Sequence, residues 1–142
     1  MSAENEAVAR RWYDELCNQR RPEVADEIIS DDHVYRDPQV PAGRGPEGVK
    51  ELVRPYQEAL DGHWDVQDVF SSGDQVCVRW VGTGTHHGEV MGLAPTGKAI
   101  RVDAVSVHRM SGGKIAETWT VWDTLGFLQQ VGAVPAAAGA AA

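Results

Sequence analysis

After Gly62 the spacing of apolar residues changes from about 3.6 to about 2, and this single switch divides the chain into a helical first part and a stranded second part. In the first part Val8, Trp12 and Leu16, flanked by Ala9, Tyr13 and Cys17, form one stripe on a helix over Glu4–Asn18. Pro22 suits the first turn of a second, short helix that turns Val24, Ala25, Ile28 and Ile29 inward. An extended segment, His33–Asp37, follows, and then a loop, Pro38–Gly45, whose prolines and glycines forbid regular structure. A third helix begins at Pro46 with Val49, Leu52, Val53 and Tyr56 inward, and Pro55 kinks it or ends it early. In the second part the alternation predicts strands at 63–71, 75–87, 99–110 and 114–123, the last two joined by a tight hairpin at Gly112-Gly113. Thr124 caps a final helix carrying Leu125, Leu128 and Val131, which Gly132 stops.

Helices followed by strands argue for an α+β domain in which a twisted sheet folds its concave face around the helices and leaves a pocket. The 142 residues suffice for one domain, over 1–132, and the Ala-rich stretch 133–142 reads as a disordered tail. Thirteen Lys and Arg against 21 Asp and Glu give a formal charge of −8, the wrong sign for neutralising phosphates. Nucleic acid and anionic membrane are therefore not expected as partners. No run approaches the ~18 apolar residues of a spanning helix, and Met1–Arg11 lacks the apolar core of a signal peptide, so a cytoplasmic location is expected. Cys17 and Cys77 stand far apart without Cys/His spacing and read as small buried hydrophobes; no metal site and no cofactor is expected.

Alternation along the third strand puts Ile100, Val102, Ala104, Ser106 and His108 on the inner face. A hairpin centred on Gly112-Gly113 then places Ile115, Glu117, Trp119, Val121 and Asp123 inward on the fourth strand, with Glu117 opposite His108. A one-residue bulge reverses this and turns Thr120 and Trp122 inward instead. On the second strand Val76, Val78 and Trp80 share a face, and continuing the count adds His86 but not His87, which argues against a His-His metal pair.

Asp37, His86, Ser106, His108 and Asp123 thus reach an apolar cavity. A carboxylate beside Trp and Val side chains is desolvated, which makes it a better proton acceptor than a surface aspartate. Each candidate also has a structural reading. Asp37 before Pro38 can begin a turn, Asp123 can cap the last helix, His86 can bond a loop backbone, His108 can pair with Glu117 at the rim, and His33 reads as a surface residue. The five tryptophans read as core before ligand platform.

The runs Gly84-Thr85-His86-His87-Gly88-Glu89 and Met91–Lys98, then Arg109–Ile115, Glu117, Trp119, Trp122-Asp123 and Leu125–Gly132, resemble the SnoaL-like polyketide cyclase family of the nuclear transport factor 2-like superfamily. The resemblance covers about residues 5–132. It implies a cone-shaped α+β barrel with three N-terminal helices packed on a strongly curved, mostly antiparallel sheet. It also implies an acidic residue at the place of Thr120 and a histidine at the place of Ser106; neither is present, and both places face the cavity only if the fourth strand is bulged. Tyr35-Arg36-Asp37-Pro38 is similar to the segment of ketosteroid isomerase whose aspartate shuttles a proton beside a carbonyl, with Asp37 in that aspartate's place, Trp12 in that of its oxyanion-hole tyrosine and Ser106 in that of its oxyanion-hole acid.

The reading that follows is a cofactor-free enzyme doing acid/base chemistry, a cyclisation or isomerisation, on a small apolar carbonyl compound of polyketide type. Asp37 is its proton acceptor, with His86, Ser106 and Asp123 as further catalytic candidates. Trp12, Tyr35, Trp80, His108, Trp119 and Thr120 are expected to contact substrate. The alternatives are a non-catalytic binding or dimerisation module of the same fold, and a hydroxylase or epoxide hydrolase in the same pocket. Unbulged, the outer face carries Val81, Val105, Val107, Thr118, Thr120 and Trp122, too apolar for water alone, which predicts a homodimer through it.

Overall fold

The structure, a computed structural model, describes residues 2–135; the tail expected from 133 onward lies, from residue 136, outside the described residues. Helix α1 (Ser2–Arg11) continues without a break into wider π-helical turns over Trp12–Asn18. The sequence explains the widening. Trp12 and Tyr13, and again Leu16 and Cys17, are adjacent pairs in which both members are buried, and a wider turn keeps both members of each pair on the inner side. The end of this segment is tied down by two amides. Gln57 donates to the Leu16 and Cys17 carbonyls, and Asn18 exchanges two hydrogen bonds of 2.8 Å with the Trp64 backbone.

A short α2 (Val24–Ile28) leads into β1 (Ile29–Asp37), longer than the extended segment expected and turning His33, Tyr35 and Asp37 inward. His33 is fully buried, not at the surface: on a strand with this phase it points into the core beside Tyr35. The proline-rich stretch read as irregular contains a strand, β2 (Val40–Arg44), which folds back on β1. As the outermost strand it bonds on one side only, so Pro41 can sit there without leaving a partner unpaired.

Helix α3 (Gly45–Leu60) runs on past Pro55. Both Pro55 and Glu51, whose carbonyl loses its donor, are exposed, so water can take the lost bond, while Val49, Val53, Ala59 and Leu60 bury the other face. Its last turn lies directly on the sheet: a Cβ at Gly84 would collide with the Leu60 carbonyl oxygen.

Strands β3 (His63–Ser72), β4 (Gln75–Thr85), β5 (Ala99–Ser111) and β6 (Lys114–Trp122) and a last helix α4 (Thr124–Gln130) complete the chain. The six strands form one sheet in the order β2-β1-β6-β5-β4-β3, parallel only between β1 and β6, and not closed. This is the α+β architecture expected from helices first and strands after. Gly112 and Gly113, with φ of 58° and 81°, make the turn between β5 and β6.

The register of β6 decides what faces the interior. Met110 pairs with Ile115, but Arg109 pairs with Glu117, so Ala116 is the extra residue of a bulge. Thr118, Thr120 and Trp122 turn inward beyond it, and Glu117, Trp119 and Val121 turn outward, the reverse of plain alternation. The charges explain why. Without the bulge Glu117 would point into an apolar interior; with it, Glu117 lies on the outer face against Arg36 and Arg109, which hold its carboxyl below the usual range. Ala116, small enough to be buried beside Ile115, accommodates the insertion.

Candidate active site

Between the helices and the concave side of the sheet lies a chamber with about 760 Å³ of atom-free space, counted out to its mouth. Its walls are aromatic. Trp12 and Tyr35 stack with ring centroids 6.3 Å apart, Tyr13 tilts against Trp80 at 6.0 Å, and Trp122 meets Tyr56 and Phe127 edge-on at 6.3 and 5.9 Å. The missing side chain at Gly82 lets the Trp80 ring lie along its own strand, where a Cβ would stand 3.1 Å from it.

One carboxylate lines this space. Asp37 is buried at the end of β1, and three donors converge on it: the Gln39 amide on Oδ1 at 2.8 Å, and the Tyr35 hydroxyl and Trp122 indole N–H on Oδ2 at 3.2 and 3.1 Å. The backbone bond to Gln39 is the turn anticipated for Asp-Pro, so Asp37 both starts a turn and faces the chamber. Both lone pairs of Oδ2 are engaged; on Oδ1 one remains for a further partner.

A polar strip runs along the floor. Ser106 and Thr120, paired across β5 and β6, bond each other at 2.7 Å, and Trp80 donates to Ser106 at 3.2 Å. The Tyr13 hydroxyl lies beside Ser106 and the Tyr35 hydroxyl beside Thr120. Burial pushes both phenols up from their ordinary pKa, so they remain protonated donors. Behind the strip Tyr13 bonds His108 at 2.7 Å, His108 bonds Thr118 at 2.9 Å, and Thr118 bonds His33 at 2.9 Å.

Six of the ten residues singled out from sequence line the chamber: Trp12, Tyr35, Asp37, Trp80, Ser106 and Thr120. Four do not. Trp119 faces outward because of the bulge at Ala116. Asp123 is exposed and accepts the Gly126 N–H at 2.9 Å, which makes it, rather than Thr124, the N-cap of α4. His108 is fully buried under Tyr13, and its cross-strand partner is Thr118, not Glu117. His86 lies beyond the end of β4, where strand alternation no longer applies; it bonds Thr96 at 3.0 Å and packs edge-on against Phe127, so it braces the wall from behind.

Sequence reasoning did not single out Tyr13, whose hydroxyl lies beside Ser106 on the chamber wall. Trp12 and Tyr13 both lie on the predicted stripe, and only the wide helical turn, which propensity does not signal, decides which of the two reaches Ser106. Among the described residues no group of three or more His, Cys, Asp or Glu is gathered as a metal ion would need. No helix among them is long and apolar enough to cross a membrane.

The buried imidazoles make stability depend on pH. Burial pushes His33 down to about 4, against the pull of Glu117 and Asp32, and burial together with His33 pushes His108 down to about 3. Unfolded, each titrates near ~6.5. Their neutral forms favour the fold fully above that value, and the contribution is lost as pH falls from ~6.5 through the folded values, to the extent of a few kcal/mol each. The denaturant midpoint is therefore expected to fall steeply between pH 7 and pH 4. A midpoint that holds steady over that range would contradict neutral burial of the pair.

Comparison with known proteins agrees with this architecture. The family model described as SnoaL-like polyketide cyclase matches residues 7–131. Among solved structures, a candidate SnoaL-like polyketide cyclase from Jannaschia sp. CCS1 superposes with a TM-score of 0.86 at 22% identity, covering 95% of this chain and 96% of its own. IdmH from Streptomyces antibioticus, a candidate polyketide cyclase, is 31% identical with a TM-score of 0.78, covering 90% and 98%. AclR from Streptomyces galilaeus, a candidate hydroxylase, is 24% identical with a TM-score of 0.84, covering 99% and 93%. No curated protein of matching sequence was found.

Proposed function

This chain belongs to the SnoaL-like polyketide cyclase family, and from that premise we propose that it is a cofactor-free enzyme acting on a small, apolar, carbonyl-bearing molecule of polyketide type. The chemistry is removal of a proton from the carbon beside the carbonyl, leading to cyclisation or isomerisation. The observation that carries this reading is the single carboxylate of Asp37 set into a largely apolar wall, its Oδ2 saturated and its Oδ1 with a lone pair to spare.

In this reading Oδ1 of Asp37 takes the proton. The enolate oxygen rests beside the Ser106–Thr120 strip, where the Tyr13 hydroxyl donates to it, and the apolar walls exclude water, which strengthens that hydrogen bond. Thr120 has no titratable group near neutral pH, so the acid-base step the family places there falls to Asp37 in this chain.

Incubation with 2-tetralone, an apolar bicyclic ketone, in deuterium oxide tests the proposal. Mass spectrometry is expected to show deuterium entering the carbons beside the carbonyl faster than with buffer alone. A ketone that binds and comes back unlabelled would refute catalysis and leave the chamber as a binding module.

We also propose that two copies pair through the outer sheet face. Its apolar surface comprises Val105, Val107, Trp119 and Val121, since the bulge turns Thr118, Thr120 and Trp122 inward and Val81 is buried, and Val121 is 66% exposed. Sedimentation velocity is expected to give a dimer, and Val121→Asp a monomer; a monomeric parent protein would remove the proposal.

A further inference from the structure

The two ends of the buried polar strip set the direction of every hydrogen between them. At one end, His33 is wholly buried and its Nδ1 has no hydrogen-bond partner, while its Nε2 bonds the Thr118 hydroxyl. A buried N–H without an acceptor costs the full desolvation of a donor, and a bare ring lone pair is the milder defect. His33 therefore carries its hydrogen on Nε2 and donates it to Thr118. Thr118 bonds both imidazoles through one oxygen, so its own hydrogen goes to Nδ1 of His108. A neutral His108 accepting on Nδ1 has its hydrogen on Nε2, and that hydrogen goes to the Tyr13 oxygen. The hydrogen of Tyr13 is then excluded from the His108 side and turns toward Ser106 and the chamber.

The other end agrees independently. The Tyr35 hydroxyl donates to the Asp37 carboxylate, so its oxygen is left to accept from Thr120, beside it. Thr120, donating there, accepts from Ser106, and Ser106 accepts from Trp80. The orphan lone pair at His33 and the acceptor-only carboxylate at Asp37 thus each set the sense of one segment, and the two segments meet at the chamber wall.

We propose that His33, Thr118 and His108 are positioning residues of one polarised hydrogen-bond array that commits the Tyr13 hydroxyl to donate into the chamber, onto the oxygen of a carbonyl ligand. The role in catalysis rests on the reading of the chamber given above, whereas the direction of the hydrogens is a property of the protein alone. The reverse sense would bury an unpaired N–H at His33 and spend the Tyr13 hydrogen on His108, leaving only its lone pairs toward a ligand.

Long-range ¹⁵N–¹H correlation spectra of the intact protein read the tautomers directly, with His33 and His108 assigned from His33→Gln and His108→Gln. Both rings are expected as Nε2–H. Either ring found as Nδ1–H overturns the proposal, whether or not any ketone is turned over. A second arm uses Thr118→Val, which cuts the chain outside the chamber. It is expected to slow deuterium uptake into 2-tetralone at least tenfold, with Thr118→Ser recovering most of the loss. Uptake in Thr118→Val equal to that of the parent protein overturns the positioning role. Should the parent protein show no uptake, the carbonyl reading fails and the tautomers still decide the direction of the array.

Discussion

Replacing Asp37 by Asn is expected to slow deuterium uptake by about 10²- to 10⁴-fold, the usual contribution of a positioned general base. The substitution is nearly isosteric and leaves an oxygen that can still accept from Tyr35 and Trp122 at Oδ2 or from the Gln39 amide at Oδ1. What it removes is the basic lone pair. It also places an amide N–H₂ against a donor whichever way it turns, so a modest loss of stability accompanies the loss of rate. Binding of the ketone is expected to change little, because the walls are untouched. Turnover that survives undiminished in Asp37→Asn would take this carboxylate out of the mechanism.

Tyr13→Phe is the second large effect. Removing one donor aimed at a developing oxyanion typically costs about 10²- to 10³-fold in rate. The same change strands the His108 ring nitrogen that faces the phenol oxygen at 2.7 Å, in a site sealed from water, at a cost of roughly 1–3 kcal/mol. Rate and stability are thus expected to fall together, the rate by far more than partial unfolding explains. A Tyr13→Phe protein with lowered stability and full turnover would make the tyrosine purely structural.

Much of this was legible before the structure. The change of period at Gly62 located the helices and four long strands, and the order of the elements gave the fold class, because both depend on local patterns of burial. Ser106 and Trp80 could be placed because a strand alternates predictably once its face is known, while Asp37 and an inward Thr120 followed from the resemblance. What could not be read depends on events that leave no periodic trace. The bulge at Ala116 reversed the assignments of Trp119 and Thr120, since a single inserted residue inverts every later position. The π-helical turns decided between Trp12 and Tyr13. The edge strand Val40–Arg44 hid behind prolines that are tolerated only because one of its sides has no neighbour. His33 looked like a surface residue because the strand's phase was uncertain that far upstream, and its burial follows from sharing a face with Tyr35.

The bulge also gives this fold an economical route to a different interior. Were Ala116 drawn into regular pairing with Arg109, every later residue of β6 would shift by one partner and exchange faces, so that a carboxylate at 117 and an indole at 119 replace the hydroxyls at 118 and 120. Such a slip changes no residue of the chain, yet it would convert a neutral floor into a charged one. In such a scaffold the register of one hairpin arm, as much as the identity of any residue, determines which reagents the protein holds.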